Sequence, residues 1–305
     1  MEAGLPRIEQ RLEAEPDANL KALEAAPRLD RFPSAILAAA VLYASPYAAN
    51  RGRGDPRWLA LALRIGDLLA SENEKGRFDR GRHLSYHRDV YLWLDAYRLI
   101  EDRLGAERRA RWRKELEKCV DVLAREVAPR AEFPRYHEPG YVGTGTNHYA
   151  VWAKTVYLAG RMFGTQGWES LGARVMHRLS AEMQTPDGYW GEFSDAGPTT
   201  GYNYLTFVAI ALYAEHSADP AAPAAVRRGT DFHKHFTWAD GIPVEVVDDR
   251  SRYWSWKYWG HFGFSRFPDG RRLAEFLTGF IDERYLDPQT LGRIARNGGR
   301  ESVRF

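Results

Sequence analysis

The feature that most constrains this chain is an alternation in the length of its connections. Apolar residues recur at spacings of three and four through most of the 305 residues, while strand-like alternation is scarce, so the segments between connections read as helices. The pattern predicts helices over 33–44, 56–72, 86–103, 106–127, 147–163, 168–184, 201–216, 221–235, 252–262, 270–284 and 288–296. Pro33, Pro56 and Pro288 fit first-turn positions, and Gly105 and Gly164 fit helix ends. One stretch, "GIPVEVVDDRSRYW", reads as extended and predicts a short β-hairpin within a long loop. The fold class is all-α.

The connections at 104–105, 164–167 and 217–220 are short, which implies antiparallel neighbours. Those at 73–85, 128–146, 185–200 and 236–251 are long and rich in Gly, Pro and aromatic residues. If the helices alternate in direction, all the long loops gather at one end, where sites tend to be built. Helices 86–103, 147–163, 201–216 and 252–262 each follow a long loop and are rich in Ala, Val, Leu and aromatics. Their partners, such as "GAERRARWRKELEKCVDVLAREV", carry many charges, and the Arg-rich stretch 107–114 reads as a solvated face. Two such layers predict an (α/α) toroid of about five to six hairpins, a single domain over 1–305. No sequence repeat is visible.

Composition narrows the function classes. A net charge of +2 gives no whole-molecule field of the kind nucleic-acid binders carry. Cys119 is the only cysteine, so there is neither an intrachain disulfide nor a cysteine zinc site. No apolar run is long enough to span a bilayer, and "MEAGLPRIEQ" lacks the apolar segment of a signal peptide. With 10 Trp and 16 Tyr, the chain has material for a large core and for sugar platforms alike.

The inner helices open on "SYHRD" (85–89), "TNHYA" (146–150), "GYNYL" (201–205) and, in the last case, "SRYWSWKYWGHF" (251–262). Thr146 is enough to cap its helix, so Asn147 and His148 ask for another reason. Four helices bringing Tyr, His, Asn, Arg or Trp to a common mouth would form a ligand site.

"GTNHYAVW", "TPDGYWGEF" and "TGYNYLTFVAIALYAE" resemble the central region of the α/α-toroid polysaccharide lyases, the alginate-lyase and heparinase II/III-like group. The resemblance covers roughly 80–265, with motif-level likeness from Thr144 to Tyr213. It implies that Asn147 and His148 match the family's Asn-His pair and that Tyr202 or Tyr204 matches its catalytic Tyr. The family's arginine has no clean counterpart, since "DAGPTTG" stands upstream of the tyrosines. The implied activity is β-elimination on an anionic, uronic-acid-containing polysaccharide, without a cofactor or metal, in a secreted or periplasmic setting.

In such a reaction an amide or arginine steadies the charge that develops on the uronate carboxylate. His148 suits the base because imidazole titrates near neutrality, and a tyrosine suits the acid. Arg88 is a candidate carboxylate partner, or else a surface ion pair. Tyr86, His87 and His261 are candidate cleft residues, and Glu192 either orients His148, binds a sugar hydroxyl or braces its loop. Trp190, Trp254, Trp256 and Trp259 either stack on sugar or pack in the core. His233 and His235 offer a weak metal motif. Two other functions remain open. Asp89, Asp187, Glu192 and Asp195 would supply carboxylate pairs to a glycoside hydrolase, and the aromatics alone would serve a non-catalytic glycan binder.

Overall fold

The computed structural model describes residues 33–46, 50–75, 84–132, 135, 138–139, 146–191, 198–239, 241, 243–244 and 262–278. Among these the chain is all-α, and two isolated bridges are its only extended pairings. The described residues fall into two compact units divided after Asp121.

The first unit holds α1 (Pro33–Ala44), α2 (Pro56–Glu74), α3 (Leu84–Ile100) and the larger part of α4 (Ala106–Val127). Helix α1 is almost purely apolar, and Ile36 to Leu42 are all buried, so it is the core against which α2 and α3 pack. Helix α2 begins where Asp55 Oδ1 accepts the Arg57 N–H at 2.9 Å, with Pro56 in the first turn. Gly66 is what lets α2 approach α4, because a Cβ there would lie 2.0 Å from the Trp112 ring. The Trp112 indole and the Arg108 guanidinium both donate to Asp67, and Arg111 pairs with Glu74 at 2.8 Å. The Arg-rich stretch is thus only half solvated: two of its arginines fasten α4 to α2 through ion pairs that solvent screens.

The second unit holds α5 (Thr146–Phe163), α6 (Gln166–Ala181), α7 (Thr200–His216), α8 (Ala221–His235), α9 (Phe262–Ser265) and α10 (Pro268–Thr278). Helices α5 and α7 are buried almost all round, whereas α6 and α8 bury one face each. The two buried helices pack on each other, the two amphipathic ones likewise, and each short-looped pair forms a hairpin. The α5–α6 hairpin is especially close. A Cβ on Gly160 would lie 2.3 Å from the Glu169 amide nitrogen, and one on Gly172 2.5 Å from that of Tyr157.

Helices α5 and α7 run in the same direction. At their far ends the Tyr157 hydroxyl donates to the His216 carbonyl at 2.9 Å, joined there by Arg161. At their near ends both starts attach to the strip Trp190–Gly191. Each amphipathic helix is followed by the same turn. Antiparallel bridges join Gln184 to Trp190 and Thr237 to Pro243, and the fifth residue of each turn is a glycine at positive φ (Gly188, 91°; Gly241, 78°). In both turns an aspartate precedes that glycine. A helical hairpin plus its turn therefore occurs twice, a repeat too diverged to stand out in the sequence.

Most helix limits follow the sequence pattern, with instructive exceptions. Helix α6 spans Gln166–Ala181 instead of 168–184, because the turn begun at Gln184 takes the last residues. Helix α3 ends at Ile100 in a 3₁₀ turn over Glu101–Arg103. Helix α10 is described over Pro268–Thr278, beginning two residues before the expected start, and the rest of the expected 270–284 lies outside the described residues. Of the expected hairpin, Gly241, Pro243 and Val244 are described: the Gly241 N–H donates to the Trp238 carbonyl, Pro243 bridges to Thr237, and the Val244 N–H donates to the Phe236 carbonyl. The expected helix 288–296 and nearly all of 252–262 lie outside the described residues.

Candidate functional site

The start of α5 is built from three polar residues with different surroundings. Thr146 is fully buried, and its hydroxyl donates across to the Gly191 carbonyl at 2.9 Å. Asn147 is 1% exposed, while His148 is half-buried. The His148 imidazole stacks on the Trp152 indole one turn on, with ring centroids 5.6 Å apart and planes at 30°. Tyr149 meets the same indole edge-on at 5.1 Å. One aromatic residue thus orients the imidazole that the sequence singles out.

The start of α7 alternates in the same way. Tyr202 is half-buried, Asn203 is fully buried, and Tyr204 is 3% exposed. The Tyr204 ring packs 5.9 Å from that of His233 and 6.2 Å from that of Phe264, which makes it a core residue. Two tyrosines two residues apart cannot share a helix face, and the fold gives the outer position to Tyr202.

Asn203 is the junction of this region. Its Oδ1 accepts the backbone N–H of Trp190 at 3.0 Å, and its Nδ2 lies 3.2 Å from Nε2 of His233. His233 is fully buried among Tyr204, Phe207, Phe232 and Phe264, and burial lowers its pKa to about 3. It is a neutral imidazole at any ordinary pH.

Trp190 is corrected from a sugar platform to an anchor. It is 0% exposed, and its indole N–H donates to the Leu179 carbonyl at 2.8 Å. His233 and His235 do not form a metal pair either, since the first is buried and the second exposed. Among the described residues no group of three or more His, Cys, Asp or Glu stands ready to hold a metal ion. Asp187 is exposed in its turn. Tyr86, His87, Arg88 and Asp89 occupy the first turns of α3 in the first unit. Glu192, Asp195, Trp254, Trp256, Trp259 and His261 lie outside the described residues.

The structure therefore brings together the starts of α5 and α7, where His148, Tyr149 and Tyr202 are half-buried. It also adds two features the sequence reading passes over. Asn203 stands between the tyrosines of "GYNYL", and a lone amide in an otherwise apolar helix is the signal that finds it. Lys154 is likewise the only charged residue between Asn147 and Gly160. It is 1% exposed and sits seven residues after Asn147, two turns along the same side of α5.

Comparison of the chain with known protein families, with curated proteins and with solved structures found no match in any of the three.

Proposed function

We propose that the protein is a polysaccharide lyase that cleaves a uronic-acid-containing chain by β-elimination, on an (α/α) toroid of which the α5–α6 and α7–α8 hairpins are consecutive parts. The observation that carries the proposal is the shared attachment of the α5 and α7 starts to the Trp190–Gly191 strip. It sets Asn147 and His148 at the same end of the unit as Tyr202.

In this reading His148 takes the C5 proton. The C4–O4 bond then breaks as a C4–C5 double bond forms in conjugation with the carboxylate, and the Tyr202 hydroxyl returns a proton to O4. The resemblance gives Asn147 the role of donor to the carboxylate, where an amide N–H would stabilise the enolate-like charge once the sugar reaches this buried residue. The Trp152 face fixes the tilt of the imidazole on α5. The scheme consumes no cofactor.

The test is a panel of alginate, glucuronan, heparan and chondroitin read by ultraviolet absorbance and product mass. An unsaturated uronate product is expected from at least one, with kcat lowered roughly 10²–10⁴-fold in His148→Ala. Reducing ends without unsaturation would replace the proposal with hydrolysis. Binding without turnover would replace it with glycan recognition.

A further inference from the structure

We infer that the buried Asn203–His233 pair is the positioning element of this site: it fixes the strip from which the first turns of α5 and α7 both hang. The inference rests on the reading of His148 and Tyr202 as the reacting groups, although its structural half stands without it.

Asn203 holds the turn through its side-chain amide. Its Oδ1 is committed to the Trp190 N–H, so its Nδ2 is the atom that faces His233. A donor facing Nε2 requires that nitrogen to be unprotonated, which places the His233 proton on Nδ1. Among the described residues, the ring neighbours include Asn203, Tyr204 and Phe207 from α7, Phe232 from α8 and Phe264 from α9. None of them carries a charge at neutral pH, so nothing among them favours an imidazolium. The histidine is a fixed acceptor that holds the amide in one orientation.

The strip transmits that orientation. Trp190 is held to α7 by Asn203 and to α6 through its indole N–H on Leu179. Gln184, at the other side of the turn, donates to the Ala225 carbonyl of α8 and to Gly188. The next residue after Trp190 is Gly191, whose carbonyl takes the Thr146 hydroxyl at the start of α5. The path from Tyr202 to His148 thus runs Asn203, Trp190, Gly191, Thr146, through groups that touch no substrate. Misplacing reacting groups by about 1 Å costs on the order of 10²-fold in rate, so this path has kinetic weight.

The experiment compares Asn203→Leu, His233→Gln and His233→Leu with the unmodified protein. Two readouts are used: kcat and KM on the best substrate of the panel, and hydrogen exchange of the Trp190 backbone amide with that of Val156 in mid-α5 as control. Asn203→Leu should speed Trp190 exchange on the order of 10²-fold, leave Val156 unmoved, and lower kcat at least about 10-fold with KM little changed. His233→Gln, which keeps an acceptor for the Asn203 amide, should retain most of the kcat that His233→Leu loses. Should Asn203→Leu fail to fold, Thr146→Val cuts the strip from α5 alone and should shift kcat in the same direction. An unmoved Trp190 amide, or kcat unchanged per folded molecule while only the melting temperature falls, overturns the inference. Loosened exchange in a protein that turns over no uronate would retire the lyase reading and leave the structural half standing.

Discussion

Helices α5 and α7 differ from α6 and α8 in what surrounds their polar residues, and the difference separates two kinds of buried hydroxyl and amide. In the amphipathic pair, most polar side chains face water. At the buried positions of α5 and α7, nothing but the protein is there to bond them, and an unbonded group would cost about 1–3 kcal/mol. Thr155 and Thr206 answer this by donating to carbonyls four residues back, at 2.8 and 3.4 Å, and so do Ser180 and Thr230 on the buried faces of the outer helices. Such bonds are local and say nothing about function. Thr146 and Asn203 instead reach out of their helices to one strip of chain. A buried polar residue that bonds beyond its own helix is the one that fixes how helices stand relative to each other.

The largest effect should come from attacking the seam between a buried helix and its amphipathic partner. Gly172→Val places a side chain 2.5 Å from the Tyr157 nitrogen and 2.7 Å from the Ala153 carbonyl oxygen, both main-chain atoms that cannot rotate away. A loss of at least about 3 kcal/mol is expected in urea unfolding, at the upper end of overpacking costs. Gly167→Ala, on the same α6 but with nothing within 4 Å of the new methyl group, should stabilise by up to about 0.5–1 kcal/mol. Equal effects at the two sites would erase the distinction between the seam and the solvent face.

A smaller effect should appear in the pH dependence of stability. The folded pKa of His233 lies near 3, below the unfolded value of 6.5, so the unfolded chain binds the proton more readily. Its contribution is fully present above pH 6.5 and is lost as pH falls toward 3, at up to about 1.4 kcal/mol per pH unit. Between pH 6.5 and 5 the unmodified protein should therefore lose about 2 kcal/mol that His233→Gln does not lose. Substituting the exposed His235 should leave the curve as it is; a curve unchanged in His233→Gln would mean that its imidazole is not buried neutral.

The smallest effect belongs to the outer surface. Asp269 accepts from Arg227 and from Lys234, which hold its carboxyl well below the usual carboxylate range. These groups are half-exposed, so Asp269→Asn should cost only about 0.5–1 kcal/mol and cost less in high salt. A loss as large as that of Gly172→Val would place the cohesion of α8 and α10 in charge instead of packing.

The sequence makes the helices legible because their apolar periodicity is a property of single segments. It also indicates the common direction of α5 and α7, since short connections leave little choice between neighbours. What it hides are properties of pairs. Trp190 and Tyr204 look like site residues by type and position, yet each is enclosed by side chains from other helices, and no spacing rule reports that enclosure. The partnership of Asn203 with His233 spans thirty positions and is invisible until α7 and α8 are packed. The turn repeat is hidden for a different reason. Its two copies share an aspartate, a glycine of unusual backbone angle and a bridge, while their other side chains have diverged.

The bare α-carbons of Gly160 and Gly172 have one more consequence. With main chain resting on main chain, α5 and α6 have no cushion of side chains to slide on, and they behave as one stiff stave. A movement of α5 relative to α7 at their near ends must then carry α6 with it. The pivot is already in place at the opposite end, where Tyr157 and Arg161 grip the last carbonyl of α7.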